Sequence, residues 1–285
     1  MLRYNKEQLV EMAVEGKVHA PTMSRMYRVG SDGTPWILPS VGGITYNFHI
    51  GDCCMNIAGD HVEPGVSTKN PDPKMDMAYN TLACVGNKVR VLTGEAKGAV
   101  GMVTGKHGGI DHVMIAFEQE VLEKLTMSDT FQIRATGQGM TLTDYPEVTV
   151  MNMDPELLNR LGIEERFGKL VVPVTKIIPA CLMGSGLGSD TMMSGDYDIM
   201  TRDKKSYKEL KLDELRFGDI VMIQDHCSDH GSDYCQGAVT VGVIIHSDSN
   251  TSGHGPGVTV LMSCRTPQIE GKIDPHANLA EIYKK

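Results

Sequence analysis

Four short β-type runs crowd into residues 86–150 and limit what this chain can become. KVRVLT, AVGMVT, HVMIAF and TFQIRA are rich in β-branched and aromatic residues, with Gly-rich segments between them. GEAKG and GKHGG are expected as the turns joining the first three. Spacing this tight favours a small, twisted antiparallel barrel.

The stretch VRVLTGEAKGAVGMVTGKHG resembles the KOW motif of SH3-like barrels found in ribosomal and transcription proteins. In that pattern a strand leads to a Gly, then Lys-Gly, then Gly-x-Val. Lys97, Gly98, Gly101 and Val103 stand at the matching places. The motif is short, and what it implies is a fold rather than an activity.

The length, 285 residues, suits one large domain or two ordinary ones. The expected division is an N-terminal β-rich domain, 1–150, with the barrel at 86–150, and a C-terminal β-rich domain, 151–285. A helix is expected at 6–15, capped by Asn5 and ended by Gly16. Another is expected at 155–161, with Asp154 as cap, Pro155 in the first turn and an apolar stripe of Leu157, Leu158 and Leu161. Residues 21–81 read as short strands joined by long loops. In the C-terminal half RFGDIVMIQ, GAVTVGVIIHS and GVTVLMSC read as strands. The last two are almost continuously apolar, which suggests burial on both faces. The final residues suit a short helix. The fold class is therefore mainly β, a β-rich α+β chain: an SH3-like barrel plus a second β-rich domain with few short helices.

The net charge of −9 works against non-specific binding to nucleic acid or anionic membranes. No apolar run approaches the length of a membrane span, and the N-terminus lacks the apolar stretch of a signal peptide. A cytoplasmic protein is expected. Seven scattered cysteines without a C-x-x-C pair fit free thiols rather than a disulfide framework or a zinc knuckle. The 19 methionines read as core filler.

Two polar clusters stand out. Residues 47–67 read NFHIGDCCMNIAGDHVEPGVS, and 225–257 read DHCSDHGSDYCQGAVTVGVIIHSDSNTSGHGPG. They combine histidines with aspartates in loop-like sequence, where binding and catalytic groups concentrate. If the strands flanking HSDSNTSGHGPG pair as a hairpin, His246 and His254 approach each other, with Asp248 in reach. Two imidazoles and a carboxylate suit a divalent metal or a base with its orienting partner. Gly253, Gly255 and Gly257 would let backbone N–H groups reach an anionic ligand. Upstream, Asp60, His61 and Glu63 crowd a bend shaped by Pro64 and Gly65. Asp52 and His49 would point to opposite faces of an extended strand, so only one could share a pocket with His61. DHCSDHGSDYC reads as a flexible polar loop, and MGSGLGS as a structural turn. Lys97, Lys106 and His107 form a slight basic spot.

Five runs are similar to an uncharacterised prokaryotic family of about this length: GGITYNFHIGD (42–52), AGDHVEPGVS (58–67), GKHGGIDHV (105–113), MGSGLGS (183–189) and VIIHSDSNTSGHGPGV (243–258). That resemblance implies a two-part architecture and brings no assigned reaction.

The leading expectation is an enzyme, a hydrolase or lyase acting on a small polar metabolite, with an amide or cyclic amide as one candidate. His61, His246 and His254 are the expected ligands of a divalent metal. Asp60, Asp248 and Asp52 are the candidate acid–base or orienting groups. The two clusters would meet between the halves of the chain. Neither nucleic acid nor membrane is expected as a partner, and a homo-oligomer is. The alternatives are a non-catalytic oligomeric or ligand-binding module and an RNA-associated KOW-type factor.

Overall fold

The computed structural model describes residues 2–23 and 27–284. All four β-type runs of the N-terminal half are strands: Lys88–Val91, Val100–His107, His112–Ala116 and Thr130–Ala135. They do not close a barrel alone. Met12–Val18 pairs with Thr130–Ala135 on one edge and with Gly65–Lys69 on the other, and Gly65–Lys69 pairs with His112–Ala116. The result is a closed six-stranded barrel, wider in sequence than residues 86–150. Closure leaves no free edge among these six strands. Alternation fills the interior: Val89 and Val91 from one strand, Phe131, Ile133 and Ala135 from another, are buried.

The expected helix at 6–15 is not there. A single 3-10 turn, Lys6–Gln8, precedes the strand Met12–Val18. The Asn5 side chain, instead of capping, donates to the Gly139 carbonyl and accepts from Thr141 N–H. Tertiary pairing with two strands outweighs a weak local preference. Gly16 is a strand residue lying against the buried Tyr79 ring. Tyr79 comes from the helix Pro73–Leu82, which has the Asp-Pro start predicted elsewhere for Asp154–Pro155 but lies in a segment expected to hold only strands and loops. Asp72 accepts from Lys74 and Met75 N–H. The helix Pro155–Arg160 forms as expected, capped by Asp154, with Leu157, Leu158 and Leu161 buried.

The C-terminal half centres on a sheet in the order Thr149–Val150, Gly257–Cys264, Asp233–Ile244, Ile220–Cys227, Lys176–Pro179. Every residue of Gly257–Cys264 is buried, as its unbroken apolar run requires. Tyr197–Asp198 also pairs with this strand. DHCSDHGSDYC is mostly strand rather than flexible loop: His226 pairs with Tyr234 and Cys227 with Asp233. A small separate sheet joins Glu164–Arg166, Lys169–Val174 and Ile269–Ile273. The closing helix is Leu279–Ile282. All seven cysteines are free thiols. Among the described residues no helix is long and apolar enough to cross a membrane.

The two halves share one continuous core, in which Met114 of the barrel packs with Val241 and Leu261 of the sheet. GKHGG, expected as a turn, lies largely in the strand Val100–His107 and forms the seam. Lys106 N–H donates to Thr259 Oγ1 at 3.0 Å, and Thr259 Oγ1 donates back to the Lys106 carbonyl at 3.0 Å. A Cβ on Gly105 would stand 2.2 Å from Ile245, so only glycine permits this approach. Lys106 is no surface basic group. Its buried ammonium donates to the carbonyls of Thr81 and Met193 and to Asn152 Oδ1, and burial pulls its pKa down to about 7.

Replacing Gly16 with alanine would place a methyl 2.4 Å from the Tyr79 ring. The expected loss in unfolding free energy is about 1–3 kcal/mol, read by denaturant titration. An unchanged midpoint would show that the ring and helix shift freely.

Candidate functional site

Loops from both halves converge on one buried cluster at the seam. The turn before the strand Gly65–Lys69 carries Asp60, His61 and Glu63. The barrel strand ends in His107. The connection between Asp233–Ile244 and Gly257–Cys264 carries His246 and His254. Asp196 and Asp198 flank Tyr197 at the short strand Tyr197–Asp198. An Asp-x-Asp spacing in extended backbone puts both carboxylates on one face.

Three imidazoles share one arrangement. His61 Nδ1 donates to Asp60 Oδ2 at 2.8 Å, His107 Nδ1 to Glu63 Oε1 at 2.6 Å, and His246 Nδ1 to the Ser247 carbonyl at 2.9 Å. In a neutral ring, an outward Nδ1–H leaves Nε2 as the free lone pair. His61 Nε2 lies 3.4 Å from Asp198 Oδ2 and 3.1 Å from His254 Nδ1, and His254 Nδ1 is 3.0 Å from Asp198 Oδ2. His246 Nε2 lies 3.0 Å from Asp196 Oδ2 and 3.5 Å from Asp198 Oδ1. The His107 and His246 rings are 4.2 Å apart. His254, 32% exposed, stands at the mouth, while the other three side chains are buried.

The outer groups are fixed in turn. Asp60 Oδ1 accepts from Ser249 Oγ and from Asn250 N–H, each at 2.8 Å. Glu63 is fully enclosed. It accepts from His107, His112, Ser67 and the Gly42 N–H. Beyond it, His112 Nε2 meets His19 Nδ1 at 2.7 Å. His61 holds a left-handed backbone, φ 55°, with its N–H on the Asp248 carbonyl. For a non-glycine residue that conformation is uncommon and marks a position held by its surroundings.

The electrostatics follow from this crowding. Burial opposes charge on His61, but Asp198 and Asp60 outweigh it and raise its pKa. Burial acts likewise on His246, and Asp196 with Asp198 carries its pKa well above 6.5. Burial alone would neutralise Asp198, yet His246, His254 and His61 hold it well below 3.8. Glu63 is held well below 4.5 against its burial, first by His107 and then by His112.

Ligand spacing fits a metal. Nitrogen or oxygen ligands about 2.1 Å from a zinc-type ion stand about 3.0–3.4 Å apart. His61, Asp198 and His254 match that edge length, and His107, Asp196 and His246 form a second, looser group whose ligand atoms lie within 4.8 Å of one another. Asp196 Oδ2 and His246 Nε2 are buried without a hydrogen-bond partner. The cluster floors a cavity of about 520 Å³ walled by Gly108, Gly109 and the Ser185–Ser189 loop.

The sequence clusters are thus brought together in part. His61, His246 and His254 meet, and Asp60 orients His61. Gly255 N–H donates to Asp198 Oδ2 at 3.3 Å, Gly257 packs against Asp196 and His246, and the Gly253 carbonyl accepts from Ser185 N–H. Asp248 turns its carboxylate away, onto Thr201 Oγ1 and Arg202. Asp52 lies outside, accepting from the His49 N–H in an exposed turn. Asp196 and Asp198 went unsingled in the sequence. Their only signal was the D-x-D spacing in GDYD. His107 read as part of a basic spot.

Profiles of the domain of unknown function DUF4438 match residues 27–159 with its N-terminal part and 160–283 with its C-terminal part. The chain belongs to this family. It is similar to the protein solved as "Crystal structure of TM1086", with 46% identity over 98% of each chain and a TM-score of 0.94. A search of the curated proteins found no match.

Membership covers both halves, so the seam that builds the cluster lies within the family's span. Glu63 offers the clearest test of that seam. Its depressed pKa stabilises the fold above pH 4.5, and this contribution is lost as pH falls toward its folded value. In chelator-treated protein, Glu63→Gln is expected to cost on the order of 3 kcal/mol at pH 7. The gap to wild type should shrink as acid is added below pH 4.5. A gap constant with pH, followed by chemical denaturation, would remove Glu63 as the anchor.

Proposed function

We propose that this protein is a divalent-metal-dependent hydrolase or lyase acting on a small polar substrate, with an amide or cyclic amide as the favoured class. One observation carries the reading: three buried histidines each donate Nδ1–H to an outer acceptor, with His61 Nε2 toward Asp198, His246 Nε2 toward Asp196, and His107 gathered with Asp196 and His246. Outer acceptors of this kind fix the tautomer and raise the basicity of metal-binding imidazoles. Asp196 Oδ2 and His246 Nε2 face each other at 3.0 Å without hydrogen-bond alignment, a geometry that a shared cation would satisfy. Imidazole and carboxylate ligands suit zinc, manganese or iron.

A bound divalent ion lowers the pKa of water and polarises a carbonyl. The chain's own groups supply the rest. Asp60 and Glu63 hold His61 and His107 in register. The glycine-rich wall brings backbone N–H groups and the hydroxyls of Ser185, Ser189 and Thr191 to the cavity, which favours a substrate recognised by hydrogen bonds. His254, at the mouth, is the ligand most able to move as substrate enters.

The RNA-associated alternative draws less support. The barrel strand with the KOW-like Gly101 and Val103 runs on to His107, so the resembling segment helps build the site.

The test is metal content and turnover together. Wild type should take up zinc or manganese at micromolar concentrations and open or hydrolyse some member of a small amide and cyclic-amide panel. His246→Ala combined with His254→Ala should weaken metal binding by at least about 100-fold, with circular dichroism unchanged. Wild-type protein that takes up no divalent metal would end this reading.

A further inference from the structure

We infer that the centre holds two divalent cations rather than one, bridged by the carboxylate of Asp198. This rests on the metal reading above and specifies it. His61 and His254 would complete the protein ligands of one ion. His107, Asp196 and His246 would hold the other.

The ligand atoms fall into two groups, each with its own pair of histidines. Asp198 touches both. Its Oδ2 faces His61 Nε2 and His254 Nδ1, while its Oδ1 faces His246 Nε2. A carboxylate with one oxygen toward each group is the bridge that ions about 3.5–4 Å apart require.

The second group has independent support. Asp196 Oδ2 and His246 Nε2 sit 3.0 Å apart in a buried space, yet neither makes a hydrogen bond. The other Asp196 oxygen is satisfied by the Gly108 N–H at 2.7 Å. Two buried atoms that face each other at this distance, out of line for a hydrogen bond, are placed to share a cation once the imidazole is neutral. Gly257 keeps the space open, since a Cβ there would stand 2.1 Å from Asp196 Oδ2 and 2.3 Å from His246 Nε2.

Charge points the same way. Asp60, Glu63, Asp196 and Asp198 are four carboxylates within one buried cluster. Among the described residues, the guanidinium that reaches them, Arg28, is 44% exposed and 3.4 Å from Asp60. Metal-ligating imidazoles are neutral; with the four histidines in that state, one divalent ion would leave half of the carboxylate charge uncompensated, and two would balance it. Buried charge of one sign is expensive unless compensated.

The experiment is stoichiometry by position. Chelator-stripped protein is loaded separately with zinc and with manganese, desalted, and analysed for metal per chain; the manganese form is also examined by electron paramagnetic resonance. Wild type should retain two equivalents, with the manganese pair exchange-coupled. His246→Ala and His254→Ala should each retain one equivalent with no coupling. Gly257→Ala should do as His246→Ala does while leaving all ligands in the sequence. Circular dichroism and thermal melts verify that each variant is folded, and a variant that fails to fold is replaced by the matching His→Gln change. One equivalent in wild type overturns the pair and leaves the single-metal enzyme standing. No retained metal overturns both.

Discussion

Four carboxylates gathered out of water would repel one another and favour protonation unless something of opposite sign were placed among them. Here the imidazoles of His61, His107, His246 and His254 are interleaved with Asp60, Glu63, Asp196 and Asp198. That arrangement is the constraint the rest of the structure serves. The members come from four stretches of chain, around residues 60–63, 107, 196–198 and 246–254, so the cluster exists only when both halves are folded and docked. Removing one member would strand another as a buried, unpaired charge.

The seam is rigid for identifiable reasons. Thr259 and the backbone of Lys106 exchange hydrogen bonds across it, and Gly105 lets the barrel strand lie directly on Ile245. The Lys106 ammonium reaches the other way, to Thr81, Asn152 and Met193. One residue thus fixes the strand end that presents His107, with its side chain and its main chain working on opposite sides. A site built at strand ends on a shared core can hold ligand geometry far more tightly than one built on free loops.

Much of this was legible in the sequence. The four runs between 86 and 135 carry their strand identity in their composition, and Asp154-Pro155 carries its cap. His61, His246 and His254 were visible because each stands beside an aspartate among glycines. What stayed hidden depended on distant pairing. Residues 6–15 have an amphipathic spacing compatible with a helix, and it is pairing with two neighbouring strands that makes the segment from Met12 onward extended. Asp198 shows no local sign of its place between two histidine groups, because Gly257 and His246 are brought to it by a strand pairing some sixty residues away in sequence. Glu63 was visible as a neighbour of His61, yet its real partners are His107 and His112, across the barrel.

The direction of chemistry also follows from where enclosure ends. Three histidines are sealed in protein, and His254 alone reaches the cavity mouth. The walls there are glycine backbone and small hydroxyl side chains, with Leu187 the one large apolar residue. Such walls gain little from burying hydrocarbon, so on the proposed metal-enzyme reading affinity would come from hydrogen bonds and from a cation at the floor. The substrate that this reading calls for would be compact and polar, with an oxygen able to face the His/Asp floor. The flexible backbone of Gly186 and Gly188, both at positive φ, shapes the wall without side chains. Adding side-chain bulk at either position would strain that backbone, so the width of the entrance depends on the absence of side chains at Gly186 and Gly188.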